Sequence, residues 1–269
     1  MSTTLATYTH GHHDSVVSQH RKRTAAEAVA FLFPHLRPGM RILDVGCGPG
    51  SITVGLAAAV APGPVLAIDL AGDVLDHGRQ FAAERGASNV RFEQSDLLTL
   101  DAPGAFDVVY AHQVLQHVPD PIAALGAMRR LLAPGGVVAV RDSDYGTCTW
   151  SPAAPELTRW LEIYSAVARR NGGEPDAGRH LRGWVRRAGL ADVQVSGTTW
   201  TFPGYDAAEA WADAWAERTL HSNLGRKAIE YGIATAAELA AVAAGFRRWG
   251  QSPDAFFSIG HVEVLARPA

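Results

Sequence analysis

A chain of 269 residues with 47% hydrophobic side chains has the length and apolar content for a large buried core, which makes disorder and coiled coil poor readings. Its 24 basic and 27 acidic residues leave a net charge of -3, without the basic excess of a general nucleic-acid binder. Cys47 and Cys148 are too few for a disulfide framework or a cysteine-built zinc site, and no run approaches the ~20 apolar residues of a membrane span. The first residues lack the apolar core of a signal peptide, so a soluble, cytoplasmic protein is expected.

Between residues 41 and 143 short apolar runs alternate with helical periods. The runs RILDVGC (41–47), VLAIDL (65–70), VRFEQSD (90–96), FDVVYAH (106–112) and GVVAVRDS (136–143) suit strands of a buried parallel sheet. Asp120 is placed to cap a helix with Pro121 in its first turn. Ile122, Leu125, Met128 and Leu132 then share one face until Pro134-Gly135-Gly136 stops it. Such βαβα alternation argues for an α/β doubly wound domain.

Beyond Ser143 the rhythm changes. Residues 155–171 read as a helix, with Trp160, Leu161, Tyr164 and Ala168 at helical spacing. Residues 176–188 read as another, presenting Leu181, Trp184, Val185 and Ala188, and Gly189 ends it. A strand is predicted over 192–202. Asp206 is then the predicted cap of a helix carrying Trp211 and Trp215. Thr235 and Glu238 form a capping box before Leu239, Val242, Ala243 and Phe246. A final strand is predicted over 256–265. All seven tryptophans lie at or beyond residue 150. With no internal repeat or low-complexity linker, residues 1–269 are expected to form one elaborated domain.

The chemistry gathers where strands hand over to helices. Asp44-Val45-Gly46-Cys47-Gly48-Pro49-Gly50 follows the first strand, and its glycines permit positive φ and close approach of a ligand to bare backbone. The helix behind offers free N–H groups to an anionic group. The spacing is G-x-G-x-G, not the G-x-G-x-x-G of a dinucleotide site, which disfavours an NAD-dependent dehydrogenase. Asp69 closes the second strand about 20 residues on, where an acidic side chain can accept both hydroxyls of a ribose. Asp96 and Leu97 follow the third strand. His112 and Gln113 follow the fourth.

This series resembles the class I methyltransferases that use S-adenosylmethionine (SAM), especially the ubiquinone/menaquinone-biosynthesis-like group. The matching segments are LDVGCGPG, AIDL, QSDLLTL, FDVVYAHQVLQHVPDP and LLAPGGVV. They cover residues 36–143 strongly and 176–202 weakly. The resemblance implies a Rossmann-like fold: a seven-stranded, mostly parallel sheet with an antiparallel last strand and helical lid insertions. It implies an N-terminal lid segment over 1–35, a SAM-binding core over 36–143, and lid insertions at 144–175 and 204–252.

By position, Gly46, Gly48 and Gly50 would cradle the methionine part of SAM and Asp44 would hold its amino group. Asp69 would bind the ribose, with Leu70 beside it. Asp96 would bind the adenine amino group, and the Leu97 backbone the ring nitrogen. His112 and Gln113 would lie beside the sulfonium. An aromatic hydroxyl in the N-terminal segment, here Tyr8, would contact SAM. No metal is implied. His10, His12, His13 and Asp14 read as a solvated or hydrogen-bonded lid rather than a ligand set.

Methyl transfer needs alignment and exclusion of water, and a base only where the acceptor must lose a proton. His112, His117, Asp142 and Asp144 are the candidate bases, with Tyr145 as a positioning group. The plainer reading of His117, Asp142 and Asp144 is packing or capping. A tryptophan-rich lid suits an apolar or aromatic small-molecule acceptor, although Trp211 and Trp215 could equally pack the insertion onto the sheet or form a homodimer surface. Two other roles fit the same site: a SAM-binding enzyme of non-methyl chemistry such as cyclisation, and a non-catalytic SAM-binding partner.

Overall fold

The computed structural model describes residues 24–269. Seven strands form one sheet: β1 (Ile42–Val45), β2 (Val65–Asp69), β3 (Val90–Gln94), β4 (Phe106–His112), β5 (Leu132–Ser151), β6 (Leu190–Pro203) and β7 (Phe256–Pro268). Their order is β3-β2-β1-β4-β5-β7-β6. β1 to β5 are parallel along the sheet, whereas β7 runs antiparallel to both β5 and β6. The mostly parallel sheet with an antiparallel last strand is therefore present. The strand order reverses between β1 and β4, so their C-terminal ends flank the crevice in which such sheets bind ligands.

Alternation along the strands sorts residues between two faces. On one face Val108, Tyr110, Val137 and Ala139 pack against α1 (Ala25–Ala28) and α2 (Ser51–Val60). On the other, Val109, Ala111, Val138 and Val140 pack against α4 (Pro121–Leu131) and α6 (Ala177–Arg187). α3 (Gly72–Glu84) covers β2 and β3 through Leu75, Ala82 and Phe92. Asp120 caps α4 as expected, its carboxylate accepting from Ala123 N at 2.9 Å.

A second core lies between further helices and β5, β6 and β7, with Tyr145, Phe257 and Ile259 contributed by the sheet. α5 (Pro155–Arg170), α7 (Gly204–His221), α8 (Asn223–Glu230) and α9 (Ala236–Gly250) close around Trp160. Its ring meets Trp215 at 4.5 Å, Phe246 at 5.4 Å and Trp211 at 5.8 Å, all edge-on, the arrangement aromatic quadrupoles favour. The capping box at Thr235 is formed in both directions.

Two expectations change. Asp206 does not cap α7, because the helix already starts at Gly204, whose N–H is tied to Ala255 O at 3.0 Å. Asp206 instead sits in the first turn, where a negative charge suits the helix dipole. The fifth strand spans Leu132–Ser151 rather than 136–143. Its tail stays paired with β7 from Thr149 to Ser151 after an irregularity beyond Asp144, so a ribbon of sheet, not helix, leads into α5.

Candidate active site

The turn after β1 has the geometry its glycines foretell. Gly46, Gly48 and Gly50 have φ of 67°, 53° and 76°. A side chain at Gly46 would strike Val114, and one at Gly50 the Phe92 ring, whereas Gly48 opens onto clear space. Gly50 then starts α2 with no side-chain cap, which leaves backbone N–H groups at the helix end. Beneath the turn Asp44 is buried and accepts from Thr53 Oγ1 at 2.7 Å. Burial pushes its carboxyl up to about 7; the Thr53 hydroxyl opposes this and nearby Asp69 adds to it.

Asp69 ends β2 and reaches across to the same turn. Its carboxylate accepts from Gly48 N and from Ala71 N, both at 3.0 Å. An ionised carboxylate has about four acceptor positions, so two remain for ligand hydroxyls. Leu70 beside it is exposed. Asp96, beyond β3, caps its own turn by accepting from Leu98 N at 2.9 Å, and Leu97 is buried against the sheet. An open glycine cradle, helix-end donors and carboxylates at three successive strand ends suit a ligand carrying an amino acid, a ribose and an adenine. These residues fit SAM. Tyr8 lies outside the described residues, as do His10, His12, His13 and Asp14.

The acceptor-side candidates do not converge. His112 is buried at the end of β4, on the α1/α2 face, with its ring 5.8 Å from Trp200. Asp142 is on the opposite face and accepts from Gln116 N at 3.2 Å under the turn at Leu115–His117. Burial pushes Asp142 up to about 7, against the hydrogen bonds of that turn and the charge of Arg141. His117 in the same turn pairs its Nε2 with Gln116 Nε2 at 3.1 Å. Asp144 is gripped by Arg179 at 2.6 and 2.7 Å, and the pairing raises the arginine still higher. Tyr145 stacks on Tyr164 at 4.2 Å inside the lid core.

Only Gln113 shares the neighbourhood of His112, and it brings residues that local sequence patterns did not single out. Its Nε2 lies 2.9 Å from His261 Nε2. His261 packs on Trp200 at 4.2 Å, and the Arg141 guanidinium lies 4.8 Å from the Trp200 ring. The one available signal was His261 and Glu263 at alternate positions of an apolar strand, polar where burial was due. An open cleft of about 910 Å³ beside Arg129, Pro134 and Pro268 lies at the opposite end of the strands and includes none of these residues.

A family model described as a methyltransferase domain matches residues 36–189. The chain belongs to the methyltransferase family. Its sheet order places it in class I, whose methyl donor is SAM. This methyltransferase is 31% identical over 280 residues to a protein of Aspergillus luteorubrus named as a methyltransferase, covering 96% of each chain. It is 39% identical over 168 residues to a ubiquinone biosynthesis O-methyltransferase of Xanthomonas campestris, covering 60% of this chain and 66% of that one. It shares its fold with phosphoethanolamine N-methyltransferase 2 of Haemonchus contortus, solved with SAM. The TM-score is 0.57 at 18% identity, over 91% of this chain and 53% of that one.

Proposed function

We propose that the protein moves a methyl group from SAM to an apolar or aromatic small-molecule acceptor held at the C-terminal end of β4. The wall formed there by Trp200, His112 and His261 carries this reading. Flat aromatic surface with a few polar groups is what binds such molecules. The relative named for O-methylation in ubiquinone biosynthesis is in keeping with it. Trp160, Trp211, Trp215 and Trp249 pack the lid core, so they support the site without lining it.

Bound SAM supplies an electrophilic methyl. Gly46, Gly48 and Gly50 hold its methionine part, Asp44 its amino group, Asp69 its ribose, and Asp96 with the Leu97 backbone its adenine. His112 and Gln113 stand beside the reacting centre, and the helices of 144–175 and 204–252 keep water away from it. Asp142 and Asp144 are held on the opposite face, His117 in the turn over Asp142 and Tyr145 in the second core, so no proton transfer is assigned to them.

The test is incubation of the full chain with SAM and a panel of phenols, quinols and apolar alcohols, reading S-adenosylhomocysteine (SAH) and product mass together. Stoichiometric SAH and a methylated product are expected. A changed acceptor without SAH would establish a non-methyl reaction such as cyclisation. SAH binding without turnover, relieved only by a second protein, would establish a non-catalytic partner.

A further inference from the structure

β6 and β7 lie entirely beyond the matched segment, yet they complete the site at the end of β4. Gln113 has φ of 54°, a conformation that non-glycine residues seldom adopt. Its backbone is fixed there by donation from its N–H to Arg141 O at 2.7 Å. Its side-chain amide nitrogen meets His261 Nε2 at 2.9 Å. With the amide nitrogen as donor, the imidazole would accept through Nε2 and hold its ring proton on Nδ1.

The imidazole is itself held. Trp200 packs against it, and Arg141 lies over Trp200. Arg141 donates to Thr198 Oγ1 at 2.9 Å and to Glu263 at 3.3 Å, and Glu263 accepts from Ser196 and Thr198 at 2.6 Å each. Interlocked partners of this kind leave the imidazole little freedom to turn. Gln113 Oε1 has no hydrogen-bond partner among the described residues.

We propose that His261 is a positioning residue: by accepting from Gln113 Nε2 it turns the Gln113 carbonyl oxygen into the cleft, to receive the hydrogen of a protic acceptor, a phenol, alcohol or amine. This rests on the methyl-transfer reading above. Gln113 orients the acceptor's lone pair and takes no proton. The lone pair forms the new bond to the methyl carbon, the C–S electron pair stays on sulfur, and the acceptor's proton passes to bulk solvent as the methylated product leaves the site. Acceptors that react through carbon and lack such a hydrogen gain nothing from Gln113.

Nitrogen-15 NMR of histidine-labelled full chain with SAH tests the first link, with His261→Gln identifying the resonance. Protonation at Nδ1 is expected, with a clear shift in Gln113→Leu. Protonation at Nε2, or a resonance indifferent to Gln113→Leu, would overturn the proposal. With an acceptor from the panel above, His261→Leu should lower kcat about 10- to 100-fold while the KM for SAM stays within about twofold. His261→Gln, which can offer an acceptor oxygen near the same place, should recover most of that loss. Equal losses in both variants would indicate a merely structural role and sink the idea. If no acceptor turns over, the methyl-transfer reading fails, while the tautomer still decides whether His261 holds Gln113.

Discussion

The role proposed for Asp44 would tie ligand binding to pH. Its carboxyl is raised to about 7 by burial, so on raising the pH the unfolded chain loses this proton first. The folded protein is then disfavoured progressively between about pH 4 and pH 7. Asp44→Asn keeps an acceptor for Thr53 and removes the buried charge. The variant should be more stable than the parent at pH 8 by up to about 4 kcal/mol, and close to it at pH 4, by urea unfolding. The cationic amino group proposed to sit on Asp44 favours the carboxylate, so SAH affinity should rise from pH 5 to pH 8 and stay flat in Asp44→Asn. Calorimetry in buffers of different ionisation heat reads the proton released. Asp69→Ala should weaken SAH binding about 10- to 100-fold with the circular dichroism of the fold retained, since it removes charge-assisted hydrogen bonds. Unchanged affinity would reject the ribose role. The gathering of Asp44, Asp69 and the three glycines at one turn was legible because short chain segments join them, so spacing along the sequence stands in for distance. His261 is 148 residues from Gln113, and no local pattern could pair them.

The helices read well wherever a cap or stripe was local. Asp120, Thr235 and Glu238 act as their types suggest, because capping involves groups three residues apart. Thr235→Ala should therefore cost about 1 kcal/mol, seen as a lower thermal midpoint with SAH affinity unchanged. The start of α7 was misplaced because Gly204 is fixed by Ala255, a partner 51 residues away. The tryptophans were the larger ambiguity: helical spacing puts Trp160, Trp211 and Trp215 on apolar faces but does not say what those faces meet. They meet each other and the Phe257 ring of β7, on which Trp211 stacks at 3.7 Å. Trp160→Ala should cost about 3–5 kcal/mol, since the lid core closes on that ring and would keep much of the cavity. Differential scanning calorimetry would show it, and a loss below about 1 kcal/mol would mean that the lid helices repack without it.

At the scale of the whole molecule, Arg141 and Glu263 hold β5, β6 and β7 together under the proposed acceptor site. Both are buried, and desolvation works against the arginine's charge. Removing one partner leaves the other charged and enclosed, so Glu263→Ala should cost about 3–5 kcal/mol by denaturant unfolding, whereas Arg141→Met with Glu263→Leu should cost less than Glu263→Ala alone. The sequence by itself determined the α/β class, the glycine turn after β1 and the carboxylates that follow successive strands. Those depend on short-range spacing and on the switch point that a parallel sheet imposes. Tertiary structure alone decided which side chains share a face: it put Asp142 and Asp144 on the far side from His112, sank most of the tryptophans into the second core, and brought His261 and Trp200 to the end of β4. An antiparallel strand inserted between β5 and β6 sets that register through pairing across long stretches of chain, and period-two alternation then assigns each residue its side.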